Sequence, residues 1–257
     1  MNRKVLLIAK QTLIDVFRHK VISLHLIFLL IASGLFNLFG HFATTPDLEY
    51  KMIQDVGISV INLFGLLMTL FIGATSIRDD LNRKTAYAVL TLPISRSEYY
   101  IGKFLGVTIS TGVNILIMIA IFAGLLFIKF GTIWTPVAWI LIFMCMEFSI
   151  VSALVLLFSL SDSMVLSFSF TFFLVVIGNL SEHIGHLVEE LEIPMLSMLK
   201  KAVFLIVPNF ELFNVKAKIL KSLSISPTLL GWALAYTVLY ISVTVFMATM
   251  IFERRDL

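Results

Sequence analysis

Charged residues and cysteine are both scarce in this chain of 257 residues. Only 14% of the residues are charged, against about 25% in a typical soluble domain, while 59% are hydrophobic. The mean hydropathy is +1.01. The single cysteine, Cys145, lies inside an apolar run, which excludes a disulfide framework and a metal site built from several cysteines. The composition therefore predicts an integral membrane protein.

The sequence motifs of common enzymes are also missing. There is no Gly-x-x-x-x-Gly-Lys-Ser/Thr phosphate loop, no Gly-x-Ser-x-Gly nucleophile elbow and no His-Glu-x-x-His zinc pair. The net charge of +3 comes from basic residues that flank apolar runs rather than cluster on a soluble surface, so nucleic-acid binding is not expected. We therefore expect a chain that is not an enzyme by itself and that binds no cofactor or metal directly.

Six apolar runs are long enough to cross a hydrocarbon core of about 30 Å, which requires roughly 17–25 helical residues. Residues 193–210 are interrupted by Pro194, Lys200-Lys201 and Pro208, so we expect an interfacial or re-entrant piece there. No linker, low-complexity tract or internal repeat divides the chain. The prediction is an all-α polytopic membrane protein forming one domain over residues 1–257, with spans at 21–42, 56–77, 104–128, 137–160, 164–180 and 229–252.

Residues 1–20 have the pattern of an amphipathic helix that lies in the plane of the membrane interface. The apolar side carries Val5, Leu6, Ala9, Leu13, Val16 and Phe17, and the polar side carries Lys4, Gln11, Asp15 and Arg18. A signal peptide is the rival interpretation. It is disfavoured because the apolar run that follows is too long and no small-residue cleavage site follows it.

The distribution of lysine and arginine predicts the orientation of the spans. Most of these residues lie in the N-terminal segment, in the 78–103 segment and at the C-terminus, which six spans would place on one side of the membrane. Basic residues favour the cytoplasmic side, so both termini are predicted to be cytoplasmic. Segment 181–228 is then the long extracellular segment. Trp134, Trp139 and Trp232 fit an aromatic belt at that side.

Residues 78–103 form a charged island between the second and third spans. Pro93 cannot continue a helix, and Ser95 followed by Glu98 is a capping-box pattern that predicts a new helix start. The island resembles the first cytoplasmic loop of permeases in the type-2 ATP-binding-cassette exporter family. The resemblance is carried by Arg83, Thr85, Leu92-Pro93-Ile94-Ser95-Arg96 and Gly102-Lys103; Asp79-Asp80 and Lys84 stand where such permeases usually have a Glu and then a Gly before the Thr.

The resemblance implies a permease subunit that moves substrate when a separate ATPase subunit hydrolyses ATP. Segment 78–103 would be the coupling loop, its coupling helix resting on the ATPase. The implied contact residues are Arg83, Thr85, Leu90, Leu92, Pro93, Ser95 and Arg96. It also implies a second permease subunit, identical or different, ATP and magnesium on the ATPase, and short extracellular helices between the fifth and sixth spans. The expected location is the cytoplasmic membrane of a bacterium or archaeon, surrounded by lipid.

Glu147 lies near the middle of the fourth predicted span. A charged side chain at that depth costs at least ~2.5–3.5 kcal/mol on insertion scales, so it must face protein or water. Glu147 and Asn114 are therefore candidates for a translocation path. The alternative is a protonated or hydrogen-bonded structural glutamate partnered by Asn114, and the sequence does not separate the two interpretations.

Small and polar residues recur at helical spacing in three of the spans. Such stripes favour close helix packing over a substrate path. They comprise Asn62, Gly65, Thr69, Gly73 and Ser76 in the second span, Gly102, Gly106, Ser110 and Asn114 in the third, and Ser163, Ser167 and Thr171 in the fifth. Glu182, His183, His186, Glu189 and Glu190 resemble metal ligands, but a solvated helix face is the favoured interpretation because no fixed ligand spacing completes the set.

Two other function classes remain open from the residues alone. One is a secondary transporter or channel that uses Glu147 as a proton or ion site. The other is a polytopic enzyme that modifies lipid, which would require a cluster of acidic residues or histidines at one membrane surface. The substrate, the direction of transport and the choice between homodimer and heterodimer are not predicted by the sequence.

Overall fold

The computed structural model describes residues 3–18, 21–42, 44–82, 95–131, 136–161, 163–181, 207–220 and 225–254. Within these ranges every regular element is a helix, in agreement with the all-α prediction. The helices are α1 (Arg3–Arg18), α2 (Val21–Phe42), α3 (Pro46–Asn82), α4 (Arg96–Phe130), α5 (Val137–Phe158), α6 (Met164–Asn179), a 3₁₀ turn (Glu211–Phe213), α7 (Lys216–Leu220) and α8 (Pro227–Glu253).

Four of the described helices are long and apolar enough to cross a membrane. These are α3 over Pro46–Arg78, α4, α5 and α8, while the apolar stretches Leu24–Phe39 of α2 and Met164–Asn179 of α6 are shorter. Each of the six predicted spans overlaps one of these helices. The chain is therefore an integral membrane protein with at least four helices of spanning character, and the six-span arrangement remains a prediction.

Helix α5 lies at the centre of the bundle and packs against α3, α4, α6 and α8. Glycines of α3 allow α3 and α5 to approach each other closely. A Cβ atom added at Gly65 would lie 3.0 Å from the Phe148 ring, and one added at Gly73 would lie 2.0 Å from Val155 Cγ1. Since Phe148 and Val155 are both buried on α5, the packing interpretation of this stripe is confirmed at these two positions.

Helix α1 packs along the first turns of α4. Val5, Ile8, Ala9 and Thr12 are buried, and a Cβ atom added at Gly106 of α4 would lie 2.6 Å from Thr12 Cβ. Of the predicted apolar side, Val5 and Ala9 are buried against the protein and Leu6 is 48% exposed, while Ile8 and Thr12 also face the protein. The buried side is centred on the residues that meet the glycines of α4 rather than on the most apolar side.

The bundle has two ends, which we name by their contents. The basic end contains α1, the start of α4 and the end of α8, with Arg96 and Arg254. The opposite end, which we call the α7 end, contains α7, the start of α3 and the end of α4. There Lys129 of α4 forms an ion pair with Glu49 of α3 and donates a hydrogen bond to the carbonyl of Phe36 in α2 at 2.9 Å. These contacts join three helices of the bundle at the α7 end.

Candidate functional site

A capping box defines the start of α4, as the sequence predicts. The amide of Glu98 donates to Ser95 Oγ at 3.2 Å, and the amide of Ser95 donates to Glu98 Oε2 at 3.0 Å. Two backbone donors at the helix terminus are thereby satisfied. The first turn of α4 therefore has a fixed direction where the chain leaves the segment 83–94.

The next residues bind the start of α4 to the end of α8. Arg96 Nη1 donates to the carbonyls of Phe252 and Glu253 at 3.4 and 3.3 Å, and Ser97 Oγ donates to Glu253 Oε1 at 2.6 Å. The last carbonyls of a helix lack intrahelical partners, and a cation near them is favourable. This contact joins parts of the chain that are 157 positions apart.

One turn further along α4, the contacts with α8 continue and contacts with α3 begin. The Tyr99 ring stacks on the Phe252 ring of α8 with centroids 5.9 Å apart. Buried Lys103 donates to the carbonyl of Ser76 in α3 at 3.3 Å. We call residues 95–103 the α4 base. The α4 base therefore contacts three other helices, α1, α3 and α8.

Most of the predicted ATPase contacts lie outside the described residues. These are Arg83, Thr85, Leu90, Leu92 and Pro93. The remaining two, Ser95 and Arg96, are the first residues of the α4 base. The interface itself is therefore not tested, but the element directly after it is well packed.

Glu147 lies on α5, ten residues after Val137, which is about 15 Å along the helix. Its side chain is buried, and Asn62 Nδ2 of α3 approaches Oε2 at 3.3 Å and Oε1 at 3.5 Å. The prediction that Asn114 is the partner of Glu147 was wrong, because the Asn114 side-chain amide donates to the carbonyl of Ser110 at 2.8 Å. Its Oδ1 atom has no hydrogen-bond partner in the described part of the chain.

Glu147 and Asn62 line a cavity of about 290 Å³. Helix α3, helix α5, the end of α6 and the segment 210–216 form its walls, and Asn114 is not among its lining residues. The lining side chains are mostly apolar, with a few polar groups. They are Ile58, Ser59, Asn62, Leu63, Leu66, Ile140, Phe143, Met144, Glu147, Asn179, Phe210, Phe213, Asn214, Val215 and Lys216.

The cavity extends from buried Glu147 to exposed residues at the α7 end, including Ser59 and Asn214. Near this mouth, Lys216 Nζ lies 2.8 Å from Asp55 Oδ1 and donates to Ser59 Oγ at 2.5 Å. Asp55, Ser59 and Asn62 follow one another at four and three residues, so they share one face of α3. A row of polar groups therefore leads from the surface to the middle of the bundle.

The sequence analysis identified Glu147 but missed most of its surroundings. Asn62 appeared only as a member of a packing stripe, and Lys216 and Phe213 were not singled out as site residues. The spacing of Asp55, Ser59 and Asn62 was a usable signal, because it continues a polar face into an apolar run. No sequence signal identified the segment 210–216 as a cavity wall.

No group of three or more histidine, cysteine, aspartate or glutamate side chains that could hold a metal ion occurs in the ranges that the structure covers. The cluster Glu182, His183, His186, Glu189 and Glu190 lies outside those ranges. The metal interpretation of that cluster is therefore untested.

The profile of a family described as "ABC-2 family transporter protein" matches residues 32–257, which extend from the middle of α2 through α8. No curated protein matches the chain.

Proposed function

Because the chain belongs to the ABC-2 family of transporter proteins, we propose that it is the permease subunit of an exporter driven by a separate ATP-binding-cassette ATPase. The ATPase binds ATP and magnesium, and this chain provides the path across the membrane. The family match over residues 32–257 is the observation that carries the proposal. Nucleic acid has no part in it.

The α4 base supports a mechanical role for the segment before it. In the proposed mechanism the ATPase contacts Arg83, Thr85, Leu90, Leu92, Pro93, Ser95 and Arg96, and closure of the ATPase pushes on this surface. Arg96 and Lys103 link the pushed element to α8 and α3. Nucleotide binding at one site thereby changes the helix arrangement at another, which is a coupling between sites.

The proposed topology has six spans, all within one domain, and both termini in the cytoplasm. The basic end then faces the cytoplasm and the α7 end faces outward, in the cytoplasmic membrane of a bacterium or archaeon. Basic residues at one end of the bundle support this orientation. In that orientation the cavity at Glu147 opens outward, as release from an exporter requires.

A second permease subunit is part of the proposal. Helix α8 leaves a long apolar face uncovered by the rest of the described chain. Val238, Leu239, Val243 and Phe246 are all more than half exposed. Lipid or a second permease subunit, identical or different, covers this face in the membrane.

Co-purification tests the dependence on a separate ATPase. We expect the tagged chain, expressed with the ATPase subunits encoded beside its gene, to retain one of them through purification. ATP hydrolysis should require that subunit, because no phosphate-loop motif occurs in this chain. An ATPase variant with its phosphate-loop lysine replaced is the matched control. Hydrolysis by the purified chain alone, or retention of none of these subunits, would contradict the proposal.

The cavity at Glu147 gives some support to a second candidate function, a secondary transporter. Such a protein would use the carboxylate to couple transport to an ion or proton gradient. Transport in vesicles that contain this chain alone, driven by an imposed gradient without ATP, would favour that alternative. Transport that requires both ATP and the ATPase excludes it.

A further inference from the structure

We propose that the cavity at Glu147 binds an amine that carries one positive charge and a small apolar body, with the ammonium group against the Glu147 carboxylate. This names the class of substrate for the proposed permease. The claim that the bound amine is the transported substrate rests on the proposed function. Binding itself is a property of this chain.

Among the described residues, the positive and negative charges around the cavity do not balance. Lys216 and Asp55 form an ion pair of 2.8 Å at the mouth, so these two charges compensate each other. Glu147 is 5% exposed and receives its hydrogen bond from the neutral amide of Asn62. A buried carboxylate without a cationic partner is costly. A positively charged guest would supply the missing partner.

The hydrogen-bonding capacity of the carboxylate points the same way. A carboxylate has about four acceptor positions, and an ammonium group offers three donors and no acceptor. Asn62 Nδ2 is shared between Oε2 and Oε1 at 3.3 and 3.5 Å, so most acceptor positions of Glu147 are unused by the described residues. The ionised Glu147 carboxylate would repel an anion, and a neutral guest would offer it no compensating charge.

The size and walls of the cavity restrict the apolar body. A volume of about 290 Å³ is near the lower end of the range of about 300–1,000 Å³ for small-molecule sites. Phe143, Phe210 and Phe213 line the cavity, and aromatic faces attract cations. One aromatic ring with a short amine chain fits these limits.

Equilibrium dialysis of radiolabelled phenethylammonium against the detergent-purified chain, without any ATPase, measures this binding. We expect saturable binding that unlabelled phenethylammonium displaces and that phenethyl alcohol, its neutral analogue, does not. An aminophospholipid carries the same ammonium group. Displacement by phosphatidylethanolamine but not by phosphatidylglycerol would assign the site to a lipid amine, and displacement by neither would assign it to a soluble amine.

Three variants test where the amine binds. Glu147→Gln keeps the shape of the side chain and removes the charge, so affinity should fall at least tenfold. Leu63→Trp keeps the charge and fills cavity space from a half-exposed position, so affinity should also fall. Glu49→Gln is the matched control, because Glu49 pairs with Lys129 and does not line the cavity. Its affinity should equal that of the wild type.

Absence of saturable binding to the wild type, equal binding by phenethyl alcohol, or unchanged affinity in Glu147→Gln would each overturn the proposal. Gel filtration of each variant confirms that it is folded. Since the measurement contains no ATPase, a negative result leaves co-purification of the ATPase unaffected. Failure of the amine site is therefore distinguishable from failure of the proposed function.

Discussion

At the scale of single residues, Glu147 shows what a sequence reveals about a membrane site. Its depth follows from its position in an apolar run, and depth alone marks it as exceptional. Its partner depends on the rotation of α3 against α5, which the sequence does not specify. A Cβ atom added at Gly65 would contact both Phe148 and Ile115, so these two residues lie at a similar depth in the bundle. Asn114 and Glu147 each precede one of them by one residue and therefore also lie at similar depths. Asn62 is nevertheless the residue that contacts the carboxylate.

Gly73 offers a residue-scale prediction about packing. In Gly73→Ala the new Cβ atom would lie 2.0 Å from Val155 Cγ1, and Val155 is fully buried and β-branched. Overpacking of this kind typically costs about 1–3 kcal/mol, which outweighs the gain of about 1 kcal/mol for alanine over glycine in a helix. We expect a lower apparent melting temperature for the detergent-purified variant.

Gly124→Ala is the control for that experiment. Gly124 lies in the apolar helix α4, and nothing lies within 4 Å of a Cβ atom added there. The apparent melting temperature of the Gly124→Ala protein should equal or exceed that of the wild type. A Gly73→Ala protein as stable as Gly124→Ala would show that the α3–α5 contact is looser than described.

At the scale of helices, apolar runs predicted the positions of the elements better than their lengths. Helix α3 begins at Pro46, well before the predicted span at 56, and α4 begins at Arg96, where the Ser95 capping box predicts a helix start and before the apolar run at 104. In both cases a cap defines the start: Thr45 Oγ1 accepts from the Leu48 amide at 3.4 Å, and Ser95 accepts from Glu98. Proline at the first helical position after Thr45 strengthens that signal. Hydropathy identifies the part of a helix within lipid, whereas caps identify where the helix begins.

The proposed coupling surface gives a prediction at this scale. Leu90 lies outside the described residues, and its contact with the ATPase remains a prediction. Leu90→Asp would place a charge in an apolar contact, so we expect loss of the co-purifying ATPase while the spans still insert. Ser95→Ala removes about 0.5–2 kcal/mol of capping and should reduce ATPase retention much less. Pull-down of the ATPase and membrane fractionation of the chain measure both effects.

An unchanged yield of ATPase and unchanged transport-coupled hydrolysis in Leu90→Asp would show that segment 83–94 is an ordinary solvated connection. The family membership would stand, because it rests on residues 32–257. The position of the coupling surface would then have to be sought elsewhere on the basic end.

At the scale of the whole molecule, the helical class and the approximate positions of the apolar helices followed from composition and hydropathy. The arrangement of helices around α5 did not, because it depends on which small residues meet across each interface. The cavity was also unpredictable, since its walls come from α3, α5, α6 and the distant segment 210–216. The position and apolar character of each helix could be predicted from the sequence, whereas the contacts between helices and the cavity that several helices form could not.

Topology is the prediction for the whole molecule. Lys218→Cys and Arg254→Cys, each in a Cys145→Ser background, place a single thiol at an exposed position of the α7 end and of the basic end. A membrane-impermeant maleimide should label the first in intact cells and the second only after the membrane is opened. The Cys145→Ser protein should not be labelled. Labelling of both thiols from one side would contradict the six-span arrangement.

The contact between Arg96 and Glu253 also has a consequence for biosynthesis. Its two residues are separated by 157 positions, so the ribosome synthesises α4 long before α8 exists. During that interval the start of α4 lacks the carbonyls that later bind Arg96. A nascent chain interrupted before α8 cannot form this contact, and the surface next to segment 83–94 matures only when α8 has been inserted. An unfinished chain therefore lacks the link between the α4 base and α8.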